Sequence, residues 1–266
     1  MAMRGLVMAL AGAGFVLAGC GTSPVDPTPE VRRELAPTGT LRVGVIVGPP
    51  AQMLIDPASG EYRGVTYELG REFAKRLSVP FEVISLRGNA EFNDALKSGR
   101  VDFAANNATP ARAAYMDFAQ PHLFVEAGYL VPRGSSISTI PEVDRPGVRL
   151  GVIRGSTSEA KFSRELKNAV PVPAASIETA AKMLAEGQID VYANNKANLF
   201  EVADKLPGSR VLDGRYGVEQ LSIAIPKGRE AGMPFLRQFV EEAKTRGFVA
   251  GAAQRARLRG LAEEQQ

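Results

Sequence analysis

The chain has 266 residues, 45% of them apolar and 23% charged, with a formal net charge of +3 spread along its length. That composition is ordinary for a water-soluble protein with proper cores, and the small, dispersed charge excludes the footprint of a nucleic-acid-binding protein. One histidine, His122, and one cysteine, Cys20, rule out disulfide frameworks, thiolate clusters, histidine triads and histidine-rich metal sites, leaving carboxylate chemistry open. No cofactor is expected.

Residues 1–19 begin with Arg4 as the sole charge, continue through an apolar run from Gly5 to Ala18, and end in Leu17-Ala18-Gly19 before Cys20. This is the layout of a secretion signal, and about 14 residues are too few to span a bilayer as a helix. The cysteine placed directly after Leu-Ala-Gly resembles the lipobox of bacterial lipoproteins. The resemblance implies a thioether-linked lipid on Cys20 and an acylated amino terminus, which together anchor a chain stably without a membrane-spanning helix. Residues 20–37, proline-rich and without apolar periodicity, read as the lipidated cysteine and a flexible linker. The folded part is expected from Thr38.

About 230 residues then remain, enough for one large or two small domains. Within them two stretches recur in the same order. Leu41 to Gly48 (LRVGVIVG) matches Val148 to Gly155 (VRLGVIRG) at five of eight positions, and Leu96 to Asn107 (LKSGRVDFAANN) matches Leu184 to Asn195 (LAEGQIDVYANN) at six of twelve. The first pair reads as a buried strand of a parallel sheet. In the second, a helix ends at Gly99 or Gly187 as a left-handed cap, and a buried strand follows over Val101–Ala105 or Ile189–Ala193. Asp102 and Asp190 fall at the turn into that strand, so they read as structural.

Helical stripes fill the intervals. Val65, Leu69, Phe73 and Leu77 share one face, as do Ala180, Ala181 and Leu184. Strand and helix alternate in each half, which predicts an α/β fold with two lobes. Glu126 to Pro132 and Glu219 to Pro226 are apolar, strand-like and end in proline, and read as crossings between the lobes. The expected division is 38–126 plus 223–266 for lobe 1 and 127–222 for lobe 2, with Pro234 to Arg246 a helix returning to lobe 1.

The order and spacing of several motifs add a family resemblance. They are Gly39-Thr40-Leu41-Arg42-Val43-Gly44, Gly64, Leu96 to Asp102, Thr109-Pro110-Ala111-Arg112, Met116 to Pro121, Gly151-Val152 with Gly155-Ser156-Thr157, and Gly187 to Asp190. Over residues 38–260 the chain is similar to the bacterial extracellular solute-binding proteins of family 3, receptors of polar amino-acid ABC importers. The resemblance implies a type II periplasmic-binding-protein-like fold that closes on a small solute in the cleft between its lobes. It also implies an inner-membrane permease as partner and a monomer held at the membrane by its lipid.

Ligands of parallel sheets meet the carboxyl ends of strands, here Asn106, Asn107, Asn194 and Asn195. An asparagine there offers both a donor and an acceptor, and can instead cap a turn or the next helix. Thr109 reads as an N-cap with Pro110 in the first helical position, and Arg112 can grip a carboxylate bidentately. In the resembled family the matching arginine binds the ligand's α-carboxylate. Ser156 and Thr157 open another helix, with Ser156 and Glu159 spaced as a capping box; the family implies ligand binding there too, and a purely structural cap fits equally.

Two departures stand out. Asn195 occupies the position of the aspartate that pairs with a ligand ammonium, and Asn89 stands where an aromatic ring is common, while the loop from Gly48 to Met53 lacks its usual ring. These favour a small carboxylate, an amino acid or a derivative without a charged amine. The chain is expected not to be an enzyme, although a dehydratase on the same fold could draw an acid or base from Glu91, Asp94 or Glu126. A ligand-sensing role beside a membrane protein fits the tether as well.

Overall fold

A computed structural model describes residues 26–56 and 58–263. The signal segment and Cys20 lie outside the described residues.

The elements in chain order are α1 (Pro29–Leu35), β1 (Leu41–Ile46), β2 (Leu54–Ile55), β3 (Tyr62–Arg63), α2 (Val65–Leu77), β4 (Phe81–Leu86), α3 (Asn89–Lys97), β5 (Phe103–Asn107), α4 (Pro110–Ala113) and the long β6 (Met116–Val131). There follow β7 (Arg149–Ile153), α5 (Thr157–Glu165), β8 (Val170–Ala174), α6 (Ile177–Ala185), β9 (Val191–Asn195), α7 (Lys196–Lys205), β10 (Arg210–Val211), β11 (Gly217–Pro226), α8 (Met233–Thr245) and α9 (Phe248–Arg255). No helix among the described residues is long and apolar enough to cross a membrane.

The strands run β4-β1-β5-β11-β6-β9-β7-β8. Each end repeats one plan: β1 lies parallel between β4 and β5, and β7 lies parallel between β8 and β9. The two halves meet through the antiparallel strands β6 and β11, which pair with each other from Gly217↔Ala127 to Pro226↔Met116. β11 also pairs with β5, and the far end of β6 pairs with β9. The result is a mixed α/β fold of two lobes joined by crossing strands.

Each lobe covers both faces of its sheet. In lobe 1, Leu41, Val43, Phe73, Phe103, Phe235 and Phe239 pack on one face, and Leu86, Phe92, Leu96, Val101 and Ala104 on the other. The Phe73 and Phe239 ring centroids are 4.7 Å apart, and each fully buried aromatic contributes about 1.5–3 kcal/mol. In lobe 2 the corresponding layers gather Tyr129, Leu150, Val152 and Phe162, and Leu184, Ile189, Tyr192 and Leu199.

The repeat has a physical basis. Arg42 bonds the Asp102 carboxylate and the Gly99 carbonyl, and Arg149 repeats both contacts with Asp190 and Gly187. Gly99 and Gly187 have φ of 66° and 69°, the left-handed caps the spacing predicts. A Cβ on Gly151 would sit 2.3 Å from the Ile189 Cδ1, and one on Gly44 3.0 Å from Val101 Cγ1, so the repeated glycines admit the repeated branched side chains.

One expectation fails. Residues 29–35 are a helix, not linker: Thr28 caps it by accepting from Val31 N at 3.2 Å, Pro29 starts it, and Leu35 is fully buried in the lobe 1 core. Arg32 Nε donates to Leu77 O at 3.0 Å, and Glu34 accepts from Gly232 N at 2.9 Å. A seven-residue helix shows too little periodicity to be read from sequence; tertiary contacts hold it.

Candidate functional site

β5 and β9 start two residues later than their sequence suggests. Asp102 N and Asp190 N bond the carbonyls of Arg42 and Arg149 at the entry turn, and the ladder begins only beyond them. The four asparagines therefore close the strands instead of following them.

Asn106 and Asn194 serve the frame. Asn106 Oδ1 accepts from Asn107 N at 2.8 Å and from Arg112 Nη1 at 2.9 Å. Asn194 Oδ1 likewise accepts from Asn195 N at 2.8 Å and from Asn198 Nδ2 at 3.1 Å. Both use their acceptor to fix the end of a strand.

Asn107 and Asn195 face the seam between the lobes. Asn195 Oδ1 caps α7 by accepting from Asn198 N at 3.1 Å, and its Nδ2 donates to Glu219 Oε2 at 3.0 Å. Asn107 Nδ2 lies 3.4 Å from Thr157 Oγ1, and Thr157 donates to Glu219 Oε1 at 3.0 Å. A chain of hydrogen bonds thus runs from lobe 1 through lobe 2 to the crossing strand β11. Asn107 Oδ1 is buried without a partner among the described residues.

Arg112 is only 6% exposed. Its Nη1 donates to Asn106 Oδ1 and, at 3.1 Å, to Asn107 O, and its Nη2 reaches across the seam to Gly155 O at 3.2 Å. Thr109 caps the turn before it, accepting from Arg112 N at 3.3 Å. α4 is a single turn, so the positive charge here is that of the guanidinium, not of a helix dipole. Burial pulls the Arg112 pKa below its ordinary value, with Tyr115 and Glu219 opposing; a guanidinium remains charged regardless. Among the described residues Arg112 forms no ion pair with a carboxylate.

Ser156 and Thr157 open α5, where Ser156 Oγ accepts from Glu159 N at 3.0 Å. Glu159 answers one residue earlier than a capping box would, accepting from Gly155 N at 2.6 Å. Asn89, at the start of α3, donates to Arg154 O across the cleft at 3.4 Å.

These groups surround a cleft of about 590 Å³ lined from both lobes and by Glu219 of β11. Arg112, Asn107, Asn195, Ser156, Thr157 and Asn89 all line it, and among the described residues no aromatic ring does. Thr109 lines a neighbouring cavity of about 290 Å³, walled from the first by Asn107, Thr157 and Glu219. No group of residues fit to hold a metal occurs among the described residues.

The sequence pattern of the bacterial extracellular solute-binding proteins, family 3, matches residues 41–255. The chain belongs to this family. The amino-acid-binding protein AabA of Dichelobacter nodosus is 28% identical over 179 residues, covering 65% of this chain and 70% of that one. The solute receptor for L-cysteine of Neisseria gonorrhoeae superposes with a TM-score of 0.75 at 23% identity, covering 88% of this chain and 99% of that one. An ancestral amino-acid-binding protein described as a precursor of cyclohexadienyl dehydratase gives a TM-score of 0.72 at 23% identity, covering 84% and 98%. At these identities the two structures establish the shared fold.

Gln52, Glu178 and Glu219 are among the cleft residues of this family 3 solute-binding protein that sequence reading misses. Gln52 Nε2 donates to Ala105 O at 2.8 Å while its Oε1 is buried and unpartnered. The loop holding Gln52 is seated because Pro50, Ala51 and Gln52 carbonyls accept from the first three amides of α2. Gly64, at φ 137°, permits that approach, since a Cβ there would lie 2.4 Å from Gln52 O. Glu178 and Glu219 also line the cleft. The carboxylates singled out from sequence do not. Glu91 caps Arg87 N and pairs with Arg100; Glu126 pairs with Lys196 and Arg215, the Lys196 contact chiefly holding it below the usual carboxylate range; Asp94 lies on α3 outside the lining.

Proposed function

We propose that this protein is an exported, lipid-anchored solute-binding receptor of an ABC importer, which captures a small carboxylate-bearing solute, an amino acid or derivative, by closing its two lobes about β6 and β11. The carrying observation is Arg112: a buried guanidinium at the seam, reaching carbonyls of both lobes and, among the described residues, ion-paired to no carboxylate. Such a charge is best compensated by an anion from outside. A ligand bridging Arg112 and Ser156-Thr157 contacts both lobes at once, and so favours the closed form by differential binding. The secretion-signal layout and Cys20 support export and anchoring. The names of the relatives support an amino acid as the solute class.

The test is isothermal titration and thermal shift with free amino acids. Arg112→Ala should cost about 2–5 kcal/mol of binding, at least thirtyfold in Kd, with circular dichroism unchanged. Ligand affinity surviving in that variant overturns the assignment. An enzyme on this frame is the competing reading, favoured by the two carboxylates in the cleft; product analysis after incubation with the bound solute separates turnover from capture.

A further inference from the structure

We propose that the C-terminal segment, Leu258 to Ala262, is a clasp across the crossing strands, in which Arg259 grips Glu201 and Asp204 and so biases the lobes toward the closed arrangement. It goes beyond solute capture and takes from that reading only the motion about β6 and β11.

The segment forms a third strand at the crossing. Val125 of β6 pairs with Glu219 of β11 on one side and with Leu261 on the other. Glu126 N donates to Gly260 O at 2.8 Å, and Ala262 N donates to Phe124 O at 2.9 Å. The root of the segment is in lobe 1, where α9 buries Val249, Ala252 and Ala253 in the core and Leu258 follows them. At Gly260, φ 73°, the chain turns back along β6 so close to α7 that a Cβ there would lie 2.5 Å from Lys196 Cβ.

Arg259, beside that turn, reaches the other lobe. Its Nη1 and Nη2 donate to the two carboxylate oxygens of Asp204 at 3.2 and 2.6 Å, and Nη2 also donates to Glu201 Oε1 at 3.2 Å. The guanidinium lies 5.0 Å from the centre of the Phe200 ring. A forked, ring-backed arginine fixes orientation as well as distance. All three partners are on α7, which Leu199 and Val202 seat in the lobe 2 core. The clasp therefore joins side chains that belong to different bodies.

Its placement makes it sensitive to closure. Ala197, in the first turn of α7, packs into the lobe 1 core and marks the pivot. Asp204 lies about 10 Å further along the helix, so a rotation of about 20° carries it about 3.5 Å, enough to break its hydrogen bonds. The grip is made in the same arrangement in which Arg112 donates to Gly155 O and Asn89 to Arg154 O across the cleft. It therefore adds to the closed form. Phe200, Glu201, Asp204 and Arg259 line neither of the two cavities, which makes Arg259 a positioning residue that shifts the closing equilibrium without touching a solute.

The test is the distance between lobes by pulsed electron–electron resonance, with spin labels at Asp94→Cys on α3 and Lys182→Cys on α6, both exposed. The full chain carries Cys20→Ser so that only these sites are labelled, and it is unfolded in urea and refolded with no solute added. A short-distance and a long-distance population are expected, and Arg259→Ala should lower their ratio about threefold or more. Glu201→Gln with Asp204→Asn should lower it equally, from the other lobe and without altering the tail, and far-UV circular dichroism should be unchanged in both. In about 1 M salt the parent ratio should fall toward that of Arg259→Ala, because the three side chains are 34–59% exposed and their charges are screened. An unchanged or raised ratio in Arg259→Ala, or one distance shared by the parent and every variant, overturns the inference. Should Arg259→Ala fold poorly, the double substitution on α7 decides by the same criteria. An unchanged ratio beside lost binding in Arg112→Ala removes the clasp and leaves the receptor reading; a single shared distance with no solute bound by the parent removes both.

Discussion

The duplicated arginine–aspartate pairs allow a stringent test, because one motif sits in two different environments. Asp102 is fully buried and accepts from Arg42 N at 3.0 Å, Arg42 Nε and Nη2 at 2.8 Å each, and Arg229 Nη2 at 2.9 Å. The side chains of Arg42 and Arg229 are only 19% and 10% exposed. Asp102→Ala therefore strands two largely buried guanidiniums, for which removal of one partner costs about 3–5 kcal/mol. Asp190 has nearly the same contacts to Arg149, at 2.8 to 3.0 Å, but the two side chains are 36% and 44% exposed and no second arginine among the described residues joins them. Solvent screens that pair, and Asp190→Ala should cost about 1 kcal/mol. The chain has no tryptophan, so far-UV circular dichroism in urea is the appropriate measurement. Equal losses in the two variants, or a loss under about 1 kcal/mol for Asp102→Ala, would refute the claim that burial, and not the motif, sets the energy.

Two further outcomes follow from buried groups elsewhere. His122 is buried with both ring nitrogens unpartnered among the described residues, and desolvation, with Lys244 adding repulsion, lowers its pKa to about 3. The folded state stays neutral while the unfolded chain takes up a proton near pH 6.5, so stability should hold above that pH and fall below it, by about 2 kcal/mol at pH 5. His122→Leu should flatten this decline in pH-dependent melting; an unchanged slope would assign it to other groups. Leu35→Ala should cost about 2–5 kcal/mol in urea unfolding, because Leu35 is fully buried against Gly232; a neutral result would return residues 29–35 to the linker.

The frame was legible because its repeated residues answer backbone needs. A left-handed cap demands Gly99 and Gly187, and the close approach of Val101 and Ile189 demands Gly44 and Gly151. Such requirements recur with the fold and show as identity. Helix α2 was likewise readable to its ends, Val65–Leu77, from its apolar stripe and the glycine before it. The cleft was legible only where it coincides with the repeat. Asn107 and Asn195 were found at strand ends, but Glu219 lies near the start of an antiparallel crossing strand that has no repeated counterpart. Gln52 comes from a loop whose position depends on three long-range bonds to α2. Nor does sequence separate Asn106, which orients Arg112, from Asn107, which faces the cavity; alternation along a strand decides that, and both residues fall beyond the strand end, Ala105, that the sequence suggests.

Under the proposed anchoring, the short helix α1 would also limit how freely the protein moves. With the anchor proposed at Cys20 and the fold beginning at the Thr28 cap, only eight residues, 21 to 28, lie between lipid and body. Fully extended they reach under about 30 Å, less than the roughly 45 Å breadth expected for a body of this size. The leash is shorter than the object it holds. Lobe 1, into which α1 packs, would be kept nearest the bilayer, so encounter with a membrane partner becomes a search over a few orientations at high local concentration, not free diffusion of a long-tethered particle.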